Sequence, residues 1–309
     1  MVVAIHTGGL TKDYGESRGL FDLDLEVSAG EVFGYLGPNG SGKTTTIRLL
    51  MDMVRPTRGR AEIFDVDCQA HPVEVKRMVG YRPGEMPQWG GLRGRDVVAY
   101  VGGLRGGVDS ARVSSLAERL DLDLGRRYRE YSSGNKRKLG LVLAFMHPAR
   151  VLVLDEPTNG LDPLIQQEFY RLVGEVAAGG VTVFLSSHVL SEVERACQRV
   201  GILRRGRLVQ VARLDELHHL RYHRLEADFA GTVPVDAVRA LAGVEHVMVE
   251  DHHLACDVRG GFGPLLEVLG RGQVLNLVTH EPSLEEVFLA YFRDPAEPAQ
   301  VPVPTGGAR

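Results

Sequence analysis

The fold of this chain is decided by the stretch Glu31-Val32-Phe33-Gly34-Tyr35-Leu36-Gly37-Pro38-Asn39-Gly40-Ser41-Gly42-Lys43-Thr44. Its first part, 31–36, predicts a buried strand, and residues 42–53 predict a helix. Residues 37–44 join the two and match GxxxxGK[ST], a loop whose glycines let backbone N–H groups surround phosphate oxygens. Lys43 then reaches the outer phosphates, and the Thr44 hydroxyl can ligate Mg²⁺. A glycine-rich turn without a ligand is the alternative, but the strand–loop–helix context favours phosphate binding.

Short apolar strands alternate with helices on both sides of this stretch. The predicted strands are Val2–Ile5, Phe21–Val27, Glu31–Leu36, Arg60–Phe64, Met78–Arg82, Val151–Leu154 and Val181–Leu185. The predicted helices are 42–53, 163–177 and 189–196, and helical periodicity also runs from Arg95 to about Met146. Apolar runs bounded by helices are typical of a parallel sheet that is buried on both faces. The predicted fold class is therefore α/β, with a helical insertion between about Glu85 and His147.

Two carboxylates follow the apolar run Val151–Leu154, in Asp155-Glu156. Because ligands of parallel sheets bind at the carboxyl ends of the strands, both acids are expected to face the phosphate loop. Asp155 suits the shell of a Mg²⁺ ion, and Glu156 suits a general base or an orienter of the attacking water. An ordinary acidic strand end is the alternative, and the nearby phosphate loop weakens it.

The polar segment Tyr131-Ser132-Ser133-Gly134-Asn135 precedes a helix that is predicted over Lys136–Met146. A serine at a helix start is a good N-cap, and capping alone is a sufficient reason for these residues. The same helix start can also bind an anion, since its free N–H groups and its dipole both favour negative charge.

Taken in this order, these segments resemble the ATP-binding cassette of ABC transporters, and the resemblance runs from Tyr14 to His188. The family's signature, usually Leu-Ser-Gly-Gly-Gln, is similar to the segment 131–135. Its D-loop is similar to Asn159-Gly160-Leu161-Asp162, its switch histidine to His188, and its adenine-stacking aromatic residue to Tyr14. The resemblance implies a P-loop NTPase cassette with a RecA-like parallel core sheet, an antiparallel β subdomain and a helical subdomain.

The resemblance also implies the ligands, ATP and Mg²⁺, and the roles of individual residues. Glu156, His188 and Lys43 would be catalytic, and Thr44 and Asp155 would hold the metal. The implied ATP-binding residues are Tyr14, Gly37, Pro38, Asn39, Gly40, Ser41, Gly42, Lys43, Thr44, Thr45, Ser132, Ser133, Gly134, Asn135 and Asp162. Two copies would form a head-to-tail homodimer, in which Ser132 and Gly134 of one copy contact the γ-phosphate held by Lys43 of the other.

The chain departs from the family pattern at two places. Tyr131, Ser133 and Asn135 replace the usual Leu, Gly and Gln of the signature, whereas the two residues implied to touch phosphate are kept. After the strand ending at Arg82, Gly84 stands where the family usually has a metal-sensing Gln. We hypothesise that the neighbouring Glu85 takes over this metal-side role.

The sequence divides into a nucleotide-binding domain over 1–217, with its helical subdomain at about 85–147, an accessory α+β domain over 218–293 and a disordered tail over 294–309. The sequence of the accessory domain predicts strands and helices in the order βαββαβ, which fits a split βαβ fold. Its predicted elements are strand Arg224–Phe229, helix Val235–Leu241, strand Val244–Val249, strand Leu254–Val258, helix Phe262–Leu269, strand Gln273–Thr279 and a last helix Leu284–Phe292 with a capping box at Ser283 and Glu286.

The segment Glu281–Phe288 looks like the ending of cassettes that serve small six-helix export permeases. This likeness favours an ATPase that powers export of a hydrophobic compound (drug, antibiotic or lipid-like) through a separately encoded permease. Two alternatives stay open: an importer cassette, and a soluble cassette that acts on the ribosome or on DNA. Trp89 lies in the region that grips the membrane subunit in this family, so either packing or permease contact is expected of it.

Composition agrees with a protein that works beside a membrane rather than in it. The net charge of −4 over 309 residues gives no electrostatic reason to expect a nucleic-acid partner. Cys68, Cys197 and Cys256 are odd in number and widely spaced, so neither a zinc spacing nor a disulfide framework can be built from them, which favours a reducing compartment. No apolar run approaches the roughly 20 residues that cross a bilayer, so if the protein acts at a membrane, another chain must supply the spanning part. Together with the resemblance, which implies the permease, this predicts a cytoplasmic protein held peripherally on the cytoplasmic face of the cell membrane by its permease partner.

Overall fold

The computed structural model describes residues 2–215, 223–258 and 261–280. They belong to two compact units, which divide between Leu214 and Asp215. The strands of the first unit are β1 (Val3–Asp13), β2 (Gly19–Ser28), β3 (Val32–Leu36), β4 (Arg58–Ile63), β5 (Val66–Asp67), β6 (Val79–Arg82), β7 (Val151–Asp155), β8 (Thr182–Ser187), β9 (Arg199–Arg204) and β10 (Arg207–Arg213). Its helices are α1 (Lys43–Leu50), α2 (Pro72–Met78), α3 (Gly94–Gly103), α4 (Ser110–Arg119), α5 (Ser133–Phe145), α6 (Pro163–Ala178) and α7 (Leu190–Ala196).

A six-stranded sheet forms the centre of the first unit, in the order β10-β9-β3-β8-β7-β6. All of its pairings are parallel except that of β9 with β10. Every residue of β3, β7 and β8 is buried, as expected of central strands covered on both faces. The predicted α/β class and its parallel sheet are confirmed, and the carboxyl ends of β3, β7 and β8 lie side by side.

An antiparallel sheet, in the order β2-β1-β4-β5, packs its apolar residues into the same core. Strand β2 alternates between buried and exposed residues, since one face meets the core and the other meets water. Ile5 and Leu10 of β1 share this core with Phe33 and Tyr35 of β3 and with Ile47 of α1. The residues of both sheets therefore pack against β3 and α1, the two elements that the phosphate loop connects.

The predicted helical insertion is confirmed and consists of α3, α4 and α5 with a 3₁₀ turn at Tyr128–Glu130. Helix α5 begins at Ser133, earlier than the predicted Lys136. The reason is local: Ser132 is the N-cap, and its Oγ accepts a hydrogen bond from the Asn135 backbone N at 3.2 Å. This cap satisfies a free N–H group, so the helix includes residues whose own helix propensity is low.

Several elements are not predicted by the local sequence pattern. Helix α2, strand β5 and the hairpin β9–β10 are new, and the predicted strand 78–82 begins at Val79 because Met78 ends α2. Strand β1 continues to Asp13 instead of ending near Ile5, because a register shift beside Gly8 and Gly9 carries the pairing past the two glycines. Among them, β9 joins the central sheet through β3, which is distant in sequence, whereas β5 and β10 pair with the strand just before them.

The second unit is an antiparallel sheet with two helices. Its strands are β11 (His223–Phe229), β12 (Val244–Glu250), β13 (His253–Val258) and β14 (Val274–His280), and its helices are α8 (Val235–Arg239) and α9 (Gly263–Leu269). The strand order is β12-β13-β11-β14, so the predicted βαββαβ order is confirmed as a split βαβ arrangement. The predicted last helix, Leu284–Phe292, and the predicted tail, 294–309, lie outside the described residues.

No helix among the described residues combines the length and the apolar character that a bilayer crossing requires.

Candidate nucleotide-binding and hydrolysis site

The phosphate loop runs from the end of β3 to the start of α1, as the sequence predicts. Gly40 and Gly42 have φ values of 78° and 111°, which residues with a side chain rarely adopt. Gly42 is also the N-cap of α1. Gly37 has no room for a side chain, since a Cβ there would collide with the Leu203 carbonyl and with Ser41. The loop therefore needs glycine for its backbone shape at positions 40 and 42 and for its close internal packing at position 37.

Lys43 is the first residue of α1 and is almost fully buried. Its Nζ donates hydrogen bonds to the carbonyl oxygens of Gly37 at 2.6 Å and Pro38 at 3.3 Å. Its third contact is an ion pair with Glu156 Oε1 at 3.2 Å. The ammonium group is thus held over the phosphate loop, with its charge directed to the end of β7.

Asp155 joins the phosphate loop to the neighbouring strand. Its Oδ2 accepts a hydrogen bond from Thr44 Oγ1 at 3.0 Å, and its Oδ1 accepts one from Ser186 Oγ at 2.6 Å. Asp155 and Thr44 therefore present a carboxylate and a hydroxyl oxygen at one place. Hard oxygen ligands of this kind are what Mg²⁺ prefers, so the pair fits the metal role predicted for it.

Glu156 follows β7 in a left-handed backbone conformation, with φ at 50°. Its backbone N donates to the Ser186 carbonyl at 3.2 Å and to Ser186 Oγ at 3.1 Å. Its carboxylate bridges two residues, because Oε1 pairs with Lys43 while Oε2 lies 2.7 Å from His188 Nδ1. The structure therefore unites Lys43, Glu156 and His188, the three predicted catalytic residues, in one cluster.

A cavity of about 800 Å³ opens in front of this cluster. Its lining residues are Asp13, Tyr14, Ser17, Arg18, Gly19, Phe21, Asn39, Gly40, Ser41, Gly42, Lys43, Thr44, Thr45, Glu156, Arg205 and Arg207. The Tyr14 ring is half-exposed, and Lys12 Nζ lies 5.5 Å from its centroid. The lining thus combines a flat aromatic ring, which suits a base, with the backbone of the phosphate loop and a lysine, which suit a phosphate chain.

Other predicted ATP-binding residues lie outside this cavity. Ser132 and Ser133 are exposed at the start of α5, and Gly134 and Asn135 follow on the first turn. Asp162 is the exposed N-cap of α6, and its Oδ1 accepts from the Ile165 backbone N at 3.1 Å. None of these residues is among the described residues that line the cavity.

Gly84 lies against the metal-side carboxylate, because a Cβ built on it would be 3.0 Å from Asp155 Oδ2. Glu85 is exposed and lines a second cavity together with Thr44 and Asp155. No hydrogen bond or ion pair joins Glu85 to another described residue. The structure therefore places Glu85 near the predicted metal ligands without fixing its side chain on them.

The second cavity has a volume of about 1000 Å³ and is called the groove below. Its lining residues are Thr44, Arg48, Met51, Met53, Val73, Lys76, Arg77, Tyr81, Pro83, Gly84, Glu85, Met86, Pro87, Trp89, Val101, Leu104, Arg105, Gly140, Leu143 and Asp155. Trp89 packs edge-on against Tyr100, with ring centroids 6.0 Å apart, and also lines the groove. Met53 and Leu104 are exposed apolar side chains in its lining. The groove reaches from the predicted metal ligands to an apolar surface.

Two further residues hold the site together and are not predicted as site residues. Ser186 contacts both acidic residues, and Arg82 donates to their backbone carbonyls. Ser186 lies two residues before the predicted switch histidine, in Leu185-Ser186-Ser187-His188. This closeness in sequence is a signal from which its role could have been predicted. Arg82 is a charged residue at the end of an otherwise uncharged strand, and this contrast is its only sequence signal.

Comparison with known proteins gives a consistent family match. Residues 20–159 match the family model described as ABC transporter. The chain is 32% identical over 302 residues to the bacitracin transport ATP-binding protein BcrA of Bacillus licheniformis, covering 94% of this chain and 97% of that protein. It is 31% identical over 315 residues to the daunorubicin/doxorubicin resistance ATP-binding protein DrrA of Streptomyces peucetius, covering 95% and 94% respectively. A solved ATP-binding subunit of an ABC transporter superposes with a TM-score of 0.65 at 27% identity, covering 70% of this chain and 92% of that chain.

Proposed function

The chain belongs to the ABC transporter family of ATP-binding subunits, and from this premise we propose that it uses ATP to export a hydrophobic compound through a separate membrane subunit. The observation that carries the proposal is the cluster in which the Glu156 carboxylate meets both Lys43 and His188 beside the phosphate loop. This cluster puts a base, a cation and an orienting imidazole in front of a cavity that suits a nucleotide.

Each residue of the cavity has a distinct part in ATP binding. The backbone N–H groups of the phosphate loop and the start of α1 hold the phosphates, and Lys43 adds a positive charge to them. Tyr14 stacks on the base. Thr44 and Asp155 would hold Mg²⁺, which when bound neutralises charge on the phosphates.

Glu156 receives the proton of the attacking water or orients that water. Its present partner, Lys43, is also the residue directed to the phosphates, so bound phosphate competes with Glu156 for the lysine. Glu156 then keeps His188 as its partner, which fixes the direction of its carboxylate. The general base is thereby freed from its cation when substrate is present, which favours acceptance of a proton.

A second copy of the chain completes the site. Ser132 and Gly134 stand at an exposed helix start, whose N–H groups and dipole suit the γ-phosphate bound by the other copy. Closure of the two copies around ATP would then add charge stabilisation that one copy lacks, and hydrolysis would release the pair.

The membrane subunit is proposed to dock in the groove. The groove combines an apolar lining that includes Trp89 with a wall formed by Thr44 and Asp155, so an occupant would lie close to the hydrolysis site. Such a partner would hold the protein on the cytoplasmic face of the membrane. Of the two expectations for Trp89, its place in the groove lining favours permease contact.

Export is preferred to import because both full-length relatives carry names of antibiotic transport or drug resistance. The transported class proposed for this chain is accordingly a hydrophobic drug, antibiotic or lipid-like compound. The importer alternative and a soluble cassette acting on the ribosome or DNA receive no support from these two relatives.

Two measurements test the proposal together. Purified chain should hydrolyse ATP in the presence of Mg²⁺, and coexpression with a six-helix permease from the neighbouring genes should protect cells against a hydrophobic antibiotic. Hydrolysis without protection would leave the ATPase in place and count against export. Finding a gene for an external binding protein beside the permease gene would favour import instead.

A further inference from the structure

Arg82 is a fully buried arginine at the end of β6, the edge strand of the central sheet. It lies in register with Leu154 of β7, so its side chain starts one position before Asp155. A charged group in this place is costly, because burial removes it from water. Burial lowers the pKa of Arg82 to about 10, which still leaves the guanidinium positively charged at neutral pH.

The guanidinium is directed at the backbone of the two acidic residues. Arg82 Nη1 donates to the Asp155 carbonyl and, at 3.0 Å, to the Glu156 carbonyl. These two carbonyls lie on either side of the Glu156 Cα atom. One nitrogen therefore restrains both peptide groups whose rotation sets the backbone conformation of Glu156.

That conformation is an uncommon one. Glu156 has φ at 50°, and a left-handed backbone persists in a residue with a side chain only where its surroundings impose it. Ser186 holds the Glu156 backbone N on one side, and Arg82 holds the two carbonyls on the other. Together they direct the Glu156 side chain towards Lys43 and His188.

Packing alone does not account for an arginine here. Its Nε and Nη2 atoms are buried without a hydrogen-bond partner among the described residues. An apolar side chain of similar length would fill the same space without burying two donors that lack a partner. The free-energy cost of burying this guanidinium is consistent with a role of Arg82 at the hydrolysis site.

The stem of Arg82 also lies beside the helix that carries the signature segment. A Cβ built on Gly140 of α5 would lie 3.5 Å from Arg82 Cγ, so the stem passes α5 at a residue without a side chain. Helix α5 begins with Ser133, which is exposed, and Gly134, which is partly exposed. The side chain of Arg82 therefore connects α5 to the peptide groups around Glu156.

We propose that Arg82 is a positioning residue for hydrolysis, which fixes the Glu156 backbone so that its carboxylate faces the nucleotide cavity. The inference rests on the proposed ATPase function and adds a residue to it. Arg82 acts through Glu156 and does not touch nucleotide, so its loss should lower turnover without weakening nucleotide binding.

The test compares Arg82→Met and Arg82→Lys in the full chain, with Arg112→Met as the matched control. Arg112 donates from Nε to the Phe145 carbonyl at 2.8 Å, so it also loses a guanidinium–carbonyl bond, but one remote from the acidic residues. Turnover at saturating ATP, the dissociation constant of a fluorescent ATP analogue and the unfolding temperature are measured for each protein.

We expect Arg82→Met to lose about tenfold to a hundredfold in turnover, since small displacements of a catalytic group are costly. Analogue binding should stay within about threefold of wild type at a temperature where the variant is folded, whereas the unfolding temperature should fall, because the carbonyls of Asp155 and Glu156 lose a buried donor. Arg82→Lys should recover part of the turnover, because one ammonium group can reach a carbonyl. Arg112→Met should match wild type.

Wild-type turnover in Arg82→Met would overturn the inference, and so would a loss of analogue binding equal to the loss of turnover. If Arg82→Met yields no folded protein, Arg82→Lys decides: normal binding with turnover lowered at least about threefold supports positioning, and wild-type turnover overturns it. Absence of turnover in the wild-type chain would instead contradict the proposed ATPase function, so the two failures are distinguishable.

Discussion

The Glu156 carboxylate and the His188 imidazole meet across the ends of two neighbouring strands, with Glu156 Oε2 2.7 Å from His188 Nδ1. Glu156 directly follows β7, and His188 directly follows β8. The parallel pairing of these strands brings together two residues that are 32 positions apart in sequence. The second carboxylate oxygen faces Lys43, so the carboxylate has one partner that can leave for phosphate and one that can stay.

Glu156→Gln tests the role of the carboxylate while keeping its shape. We expect turnover to fall at least about a hundredfold, because an amide cannot accept the proton of the attacking water. ATP binding should persist, and the variant should accumulate as an ATP-bound dimer that size-exclusion chromatography with light scattering detects. Near wild-type hydrolysis would show that Glu156 is not the base.

His188→Ala tests the partner of Glu156. We expect turnover to fall by about tenfold to a hundredfold with little change in ATP affinity, since the carboxylate loses the group that orients it. His6→Ala is a matched control, because His6 Nδ1 also faces a glutamate, Glu26, at 3.6 Å, but on the antiparallel sheet. Equal effects of the two variants in a phosphate-release assay would argue against a special role for His188.

Glu85→Ala tests whether this residue supports the metal in place of the family's usual glutamine. The Mg²⁺ concentration that gives half-maximal turnover should rise by about threefold or more, as expected when one oxygen ligand or its support is removed. Glu130→Ala, on the 3₁₀ turn, serves as the control for loss of a carboxylate. An unchanged Mg²⁺ dependence in Glu85→Ala would mean that the metal-side role lies elsewhere.

Gly134→Asp tests the second half of the composite site. A carboxylate at this helix start should repel the γ-phosphate of ATP held by another copy and so prevent the ATP-dependent dimer in the Glu156→Gln background. Gly134→Ala controls for size, since a Cβ there meets its nearest neighbours at an ordinary 3.8 Å. ATP binding to the monomer should survive in both. A dimer of normal stability in Gly134→Asp would contradict the proposed arrangement.

Leu104→Asp tests the groove as the permease surface. Leu104 is 71% exposed in the groove lining, and a charge on it should remove apolar contact area and reduce co-purification with the membrane subunit. Val209→Asp is the control, because Val209 is an exposed apolar residue of β10 outside the groove lining. Equal recovery of permease with the two variants would place the contact on another surface.

Much of the architecture could be predicted because it is encoded in short stretches of sequence. The phosphate loop needs glycine at positions 40 and 42 for backbone angles that other residues avoid, so the loop can be recognised from its glycine pattern alone. Central strands buried on both faces, such as β7, read as uninterrupted apolar runs. In residues 223–280, strand-like and helical segments alternate and turn residues separate them, and this pattern likewise predicts the βαββαβ order. The hairpin β9–β10 was not predicted, and its strand β9 joins the central sheet by pairing with β3, which is distant in sequence.

The sequence by itself determined which chemical groups this protein possesses: a phosphate loop with Lys43 and Thr44, an acidic pair at the end of an apolar strand, and a histidine after another. Only the tertiary structure decided how these groups contact one another. Ser186 forms hydrogen bonds with both acidic residues, and Arg82 donates to the Glu156 backbone. The Glu156 carboxylate contacts both Lys43 and His188. The physical reason is that loop shape follows from local backbone sterics, whereas these contacts arise where parallel strands distant in sequence end side by side in a buried sheet.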